Sequence, residues 1–450
     1  MAAAPVTETV RAPLRAAVDR RSPLVASALD PEQARARAES ALPGTTIQAV
    51  HVGSVRYRTD GGCTLRYRVR LGPPSGEQVL LLDIPGSGSA VGVWPFPADP
   101  GLPTLARAVD PVLMRRVLGR VVPGTGGERA IGRCTVDIVH HPRQRRCVLR
   151  YRLTQGAGGA GELRHPVLFG KVYDDPAAPA AAAAALRFLR GGLGSGIRVP
   201  EPLAVVPGLH LGLAQAIPGR PLLPQLLASA SDAGGPASDA VAAAARVAAA
   251  VHAVGRPATG LRVRDLAGER AATARALGLL EPVWPDVAAH LRRGVARALA
   301  VDHSGSAAAD RWPLAPVLAH GDLTPGQVLL GSSGDIGLVD VDTVCLAEPA
   351  LDLGRFLAYL HVTGMRRSPG AWPLLDELTA EFIGSYLDAC RPSQNSSDGR
   401  RLLLARTAQH RALSLARLAA SACWQLKDDR LRAALDVLDG GDDWMRSVAG

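Results

Sequence analysis

The densest chemistry in the sequence lies between Val317 and Gly354. It reads Val317-Leu-Ala-His320-Gly-Asp322-Leu-Thr-Pro-Gly-Gln327-Val-Leu-Leu, then Ile336-Gly-Leu-Val-Asp340-Val-Asp342, then Glu348-Pro-Ala-Leu-Asp352-Leu-Gly354. Phosphoryl transfer needs a carboxylate beside the attacking hydroxyl and hard oxygen ligands that hold magnesium against the β- and γ-phosphates. Both are here at workable spacing: Asp322 follows an apolar strand, an amide comes five positions later, and Asp340 closes the next apolar strand. Protein kinases place an amide ligand at the same interval beyond their catalytic-loop Asp. A His-Gly-Asp triplet alone carries little weight, and an Asp at a strand end is more often a cap or turn residue than a ligand. The force of the pattern is that all its pieces occur in order.

A second signal is independent of the first. Lysine occurs only at Lys171 and Lys427, all other basic positions being Arg or His. Lys171 sits mid-strand in Val167-Leu-Phe-Gly-Lys-Val-Tyr, where a charge turned into an apolar core would cost several kcal/mol unless paired. A lone ammonium in such a place invites a functional explanation, against the plainer reading of a surface lysine on an edge strand.

The elements that must carry these residues follow from periodicity. A short helix is expected around Pro31 to Ser40, capped by Asp30, after a frayed lead. Alternating apolar and basic residues around Asp60-Gly61-Gly62 predict a hairpin, with a third strand at Gln78 to Ile84. The unit recurs: Cys63-Thr-Leu-Arg-Tyr-Arg-Val is echoed by Cys147-Val-Leu-Arg-Tyr-Arg-Leu, and Val79-Leu-Leu-Leu-Asp-Ile by Val167-Leu-Phe-Gly-Lys-Val. Asp83 stands where the repeat puts Lys171, so the first unit is expected to be structural. A helix from about Pro103 to Val117 links the two. Strands at Cys134 to His140, Cys147 to Leu153, Pro166 to Tyr173, Val199 to Pro207 and Leu209 to Ile217 surround an alanine-rich helix, and from Leu222 onward the apolar spacing is helical, broken only between Val317 and Leu346.

The run resembles the H-G-D-x-x-x-x-N and I-D…D-L-A/G signatures of the aminoglycoside phosphotransferase and choline kinase family, over about residues 131 to 440. The resemblance implies an α+β, bilobal protein-kinase-like fold, with a β-rich small lobe at 131–220 and a mostly helical catalytic and substrate lobe at 221–450; residues 1–130, with the additional β-hairpin unit and linker helix read from the internal echo, fall outside it. It implies that Asp322 orients or deprotonates the acceptor hydroxyl, that Gln327 and Asp340 bind Mg2+, that His320 and Asp352 brace the loop, and that Asp342 faces metal or substrate. Lys171 would hold the α- and β-phosphates of ATP or GTP, and Gln215-Ala-Ile217 would be the hinge that receives the base. Two departures stand out. Gln327 replaces the usual Asn, as in the similar run of actinobacterial maltokinases, and the helix after Lys171 lacks the usual Glu, leaving only Asp174 and Asp175 at its start. The turn from His141 to Arg146, with Arg145, replaces a glycine-rich phosphate loop, and reads equally as phosphate-binding and as a solvated basic tip.

Bulk composition narrows the classes. With 47% hydrophobic and 20% charged residues the chain is of globular type rather than disordered. Six scattered cysteines with no C-x-x-C pair fit free thiols in a reducing cytoplasm. No signal peptide or membrane span is expected. The formal charge of +10 is spread along the chain with few aromatics, which argues against a nucleic-acid partner. The expectation is a cytoplasmic, magnesium-dependent small-molecule kinase. A nucleotide-binding pseudokinase or scaffold is the alternative, and a kinase for a peptide or carrier-bound acceptor is a third reading.

Overall fold

The computed structural model describes residues 14–73, 76–87, 90–122, 131–143, 145–156, 163, 165–194, 196–228, 236–255, 260–300, 314–331, 334–368, 370–390 and 397–440. Its architecture is α+β, as expected, with antiparallel sheets and many helices. The chain divides into two compact units, one of residues 18–187 and 200–217, the other of residues 1–17, 188–199 and 218–450.

The first unit holds two antiparallel sheets that open alike. Strands Ile47–Tyr57, Cys63–Leu71, Glu77–Ile84 and Gly92–Pro95 pair in chain order. The second sheet runs Ile131–Arg143, Arg146–Gln155, Val167–Tyr173, Leu211–Gln215, Pro202–Val206. Side chains alternate between faces in a strand, so Cys63, Leu65, Tyr67 and Val69 are buried, as are Cys147, Leu149, Tyr151 and Leu153. The sequence echo is therefore also a structural one. Tyr67 donates its hydroxyl to the Ala28 carbonyl at 2.5 Å, and Tyr151 donates to Ala108 at 2.8 Å, each closing the end of a preceding helix. The registers match too: Thr64 faces Asp83 as Val148 faces Lys171. Asp83 thus occupies the place of Lys171, and its carboxylate is paired with Arg58.

Several elements depart from expectation for local reasons. The lead contains helices Leu14–Arg21 and Pro23–Leu29 before the predicted one at Pro31–Ala41. Asp30 caps that third helix by accepting from the Glu32 and Gln33 amides at 3.1 and 3.0 Å. The linker helix is two, Leu105–Ala108 and Pro111–Val121. Pro111 has no N–H to continue a helix but suits its first turn, and Asp110 caps the restart through Val112 and Leu113.

The second unit is mainly helical: Leu222–Ala228, Pro236–Ala253, Leu266–Leu280, Pro285–Ala300, Ala350–Arg367, Trp372–Ala389, Ser397–Trp424 and Asp428–Asp439. Among the described residues no helix is long and apolar enough to cross a membrane. All six cysteines are free thiols. Two small sheets interrupt the helices. Val317–Ala319 pairs antiparallel with Cys345–Ala347, which runs parallel to Arg262–Arg264. Val328–Leu330 and Ile336–Leu338 form a hairpin flanked by Arg220–Pro221 and Ile197–Arg198. Helix Ala350–Arg367 lies against Ser397–Trp424 at Gly354, where an added Cβ would sit 2.6 Å from the Arg411 nitrogen and 2.7 Å from the Thr407 oxygen. Both are backbone atoms that cannot swing aside. Gly354→Ala is expected to destabilise this unit by about 1–3 kcal/mol, read as a lower urea midpoint; an unchanged midpoint would show that the two helices can part freely.

Candidate active site

Asp352 organises the loop that carries Asp322. It lies in the first turn of helix Ala350–Arg367, fully buried, and accepts from the His320 and Gly321 amides at 2.7 and 2.9 Å. Its Oδ2 also meets His252 Nε2 at 3.2 Å, and His252 Nδ1 meets the Tyr386 hydroxyl at 2.8 Å. Burial alone would raise this carboxyl, but the His252 bond and the His320 amide outweigh it and leave the pKa below its ordinary value.

His320 ties the Asp322 loop to the strand that leads to Asp340. Its Nδ1 accepts from the Asp322 amide at 3.3 Å, so Nε2 bears the proton donated to the Val339 carbonyl at 3.2 Å. The Val339 amide in turn donates to the Gln327 carbonyl at 3.0 Å. The loops carrying Asp322, Gln327 and Asp340 are thereby laced together. Asp340 adopts φ 63°, ψ 49° at the head of the short turn Val341–Thr343. Asp tolerates this left-handed conformation better than most residues, and such strain gathers at functional sites. Thr343 closes the arrangement, donating its hydroxyl to the His320 carbonyl at 2.9 Å. Gly321 is required where it stands, with φ 78° and the Thr343 oxygen only 2.3 Å from a hypothetical Cβ. Asp342 is half-buried within the turn itself.

Gln327 is oriented by what it accepts. Its Oε1 takes the Thr324 amide at 2.8 Å and the Thr324 hydroxyl at 3.1 Å, while Nε2 points to Asp322 Oδ2 at 3.5 Å. The Thr324 amide can only donate, so the side-chain oxygen must face it. Asp322 itself is partly exposed and forms an ion pair with Arg355 on helix Ala350–Arg367. Behind it, Arg264 donates to the Gly321 carbonyl at 2.6 Å and grips both oxygens of Glu269, which Arg417 also contacts at 2.6 Å. Burial would raise Glu269, but the hydrogen bonds from Arg264 and the nearby charges of Arg417 and Arg264 bring it down to about 2.

In the other unit, Lys171 lies on the middle strand of its sheet, paired to strands on both sides, which removes the edge-strand reading. Its core-facing neighbours are Leu168 and Val172, so Lys171 projects from the opposite, half-buried face with Val167 and Phe169. Gly212 is its cross-strand partner on that face, and Pro179 in the first turn of helix Ala178–Gly192 packs near Gly212. Asp174 and Asp175 are occupied locally: Asp174 accepts from the Asp175 amide and Asp175 from the Ala177 amide, each at 2.9 Å. Arg145 is exposed beside the hairpin tip, and its carbonyl accepts from the Asp174 amide at 3.0 Å; residue 144 lies outside the described residues. His141, by contrast, is buried against Asp99 at 2.7 Å and belongs to the core of the unit. Gln215 ends its strand, with its amide on the Glu201 carbonyl at 2.8 Å, and the boundary between the two units falls just after Ile217.

Residues 149–372 match the model of the phosphotransferase enzyme family, APH. This segment, just under half of the chain, is what matches that family. The chain is a phosphotransferase whose H-G-D loop, Asp340 strand and D-L-G helix all fall inside the match. Among solved structures, the macrolide 2'-phosphotransferase MphH of Brachybacterium faecium is 21% identical, covering 64% of this chain and 90% of its own, with a TM-score of 0.40. A choline/ethanolamine kinase family protein of Mesorhizobium loti is 17% identical, covering 75% and 97%, with a TM-score of 0.46. A glucosamine kinase is 15% identical, covering 92% and 98%, with a TM-score of 0.40. No curated protein matches the chain by sequence.

Sequence reasoning did not find Arg355, His252, Tyr386, or the Arg264, Glu269 and Arg417 group. Only Arg355 left a trace: three residues beyond Asp352 on a helix, it had to share that residue's face. The depressed Glu269 pKa carries a pH prediction. A carboxylate lowered from 4.5 to about 2 contributes stability that is present above pH 4.5 and disappears as pH falls toward 2. Glu269→Gln is expected to remove about 3 kcal/mol at neutral pH and to flatten the acid limb of a stability-versus-pH series measured by chemical denaturation.

Proposed function

We propose that this phosphotransferase moves the γ-phosphate of ATP or GTP, with magnesium, to a hydroxyl of a small molecule. One observation carries the reading: Asp322 sits on a loop whose backbone is fixed by Asp352 and whose imidazole is bonded to the strand leading to Asp340. A carboxylate acting on a substrate hydroxyl has to be held in one place relative to the metal ligands, and those bonds do so.

In this mechanism Asp322 takes the proton of the acceptor hydroxyl as its oxygen bonds to the γ-phosphorus and the bond to the nucleoside diphosphate breaks. Asp340 supplies the carboxylate for magnesium, with Asp342 one residue behind in the same turn. Magnesium uses one or two carboxylates together with phosphate oxygens and water. When bound, it neutralises charge on the β- and γ-phosphates. Gln327 reaches the metal only by releasing Thr324; in the conformation described it stiffens the loop and donates toward Asp322. Lys171 meets the α- and β-phosphates, Arg145 contributes charge at the hairpin tip, and the backbone from Gln215 to Ile217 receives the base.

Transfer of phosphate from ATP or GTP to a panel of neutral, cationic and anionic hydroxylated compounds tests the reading. Asp322→Asn is expected to lower kcat about 10²–10⁴-fold, and Lys171→Met to raise the nucleotide KM. Equal background turnover by the native protein and Asp322→Asn across the panel would favour instead a nucleotide-binding scaffold, the reading motivated by the absence of a Glu in helix Ala178–Gly192.

A further inference from the structure

Donors gathered beside Asp322 are left unused. Arg355 pairs with Asp322, while Arg264 and Arg417 share Glu269. These five side chains are mostly withdrawn from water, with exposures of 19% for Arg355, 27% for Asp322, 17% for Arg264, 21% for Arg417 and 6% for Glu269. Arg264 is engaged at each of its three nitrogens, by Glu269 and by the Gly321 carbonyl. The other two are not. Among the described residues, Nε of Arg355 and both Nε and Nη2 of Arg417 are buried without a hydrogen-bond acceptor. Burial lowers the Arg417 pKa against the pull of Glu269, and the charges of Arg355 and Arg264 push it the same way.

The surface beyond repeats the sign. The Arg355 guanidinium lies 5.4 Å from the centroid of the Tyr359 ring, and the Arg430 guanidinium lies 5.8 Å from the same centroid. Asp429, next to Arg430, is taken by Arg366 at 2.6 and 2.9 Å. A polycationic acceptor would meet guanidinium groups on this approach to Asp322. An oxyanion would meet unsatisfied donors of the fork geometry that binds carboxylate, sulfate or phosphate in pairs.

We propose that Arg355 and Arg417 form a receiving subsite for an anionic group of the acceptor, which is therefore a hydroxylated compound bearing a carboxylate or a phosphate or sulfate group. The inference rests on the phosphotransfer reading above and names its substrate class. The incoming oxyanion replaces Asp322 as the partner of Arg355, and Asp322 is left to take the hydroxyl proton. The Arg355–Asp322 ion pair is the contact that this exchange breaks.

Titration calorimetry of the full chain with sodium sulfate, and separately with sodium acetate, at constant ionic strength tests this without nucleotide. The native protein is expected to bind one anion saturably, and the tighter of the two probes tells which kind of group the subsite prefers. Arg355→Gln weakens binding about tenfold or more, whereas Asp322→Asn, which removes the competing carboxylate at nearly constant shape, tightens it. That opposed pair of shifts is not produced by a misfolded variant. Absence of saturable binding in a native protein that still turns over nucleotide through Asp322 overturns the subsite alone. Binding that responds to Lys171→Met and not to Arg355→Gln places the anion where a nucleotide phosphate would sit, and overturns it as well. Loss of any Asp322-dependent turnover overturns the phosphotransfer reading, and the acceptor assignment goes with it.

Discussion

The buried carboxylate of Asp352 is the constraint on which the candidate site depends. A charged group with no exposure is costly unless its lone pairs are filled. Here they are filled by two consecutive backbone amides and an imidazole. Because the acceptor atoms belong to a helix and the donors to a loop, the same bonds that offset the desolvation also fix where the loop turns. Gly321 makes that turn possible, since only a residue without Cβ takes its φ of 78° beneath the Thr343 carbonyl. Asp322 follows directly, so its position is a consequence of how Asp352 is solvated.

The polar groups around this loop form a continuous chain rather than separate pairs. Tyr386 and His252 hold Asp352; Asp352 holds His320; and the imidazole of His320 reaches the strand that ends at Asp340. Hydrogen bonds in such a chain reinforce one another in a low-dielectric interior, and a single vacancy is expensive. The arginine group behind the loop differs, because its donors outnumber its acceptors. A folded protein retains that imbalance only where the rest of the structure overdetermines it, which is the usual condition of a ligand site.

The paired β units show how one scaffold can be kept while its chemistry is exchanged. Both close a preceding helix with a buried Tyr hydroxyl, and both pair their second and third strands in the same register. At the shared position one carries Asp83, neutralised by Arg58, and the other carries Lys171. A sheet determines where a side chain emerges and on which face, while the identity of that side chain is unconstrained by the pairing.

The sequence by itself determined much of this protein. Strand and helix periodicity, the Asp60-Gly61-Gly62 turn and the Asp30 cap are local, and local energetics decide them. The order of Asp322, Gln327, Asp340 and Asp352 was equally legible, because a loop between short strands fixes its spacing in sequence. Tertiary structure decided what no local pattern encodes. His252 lies 100 residues from Asp352, and Arg417 lies 148 from Glu269, so only helix packing can introduce them. The orientation of the Gln327 amide and the partner of Asp322 were likewise settled by which donors and acceptors folding left within reach. A residue type states which bonds a side chain is able to make; burial and neighbours choose among them.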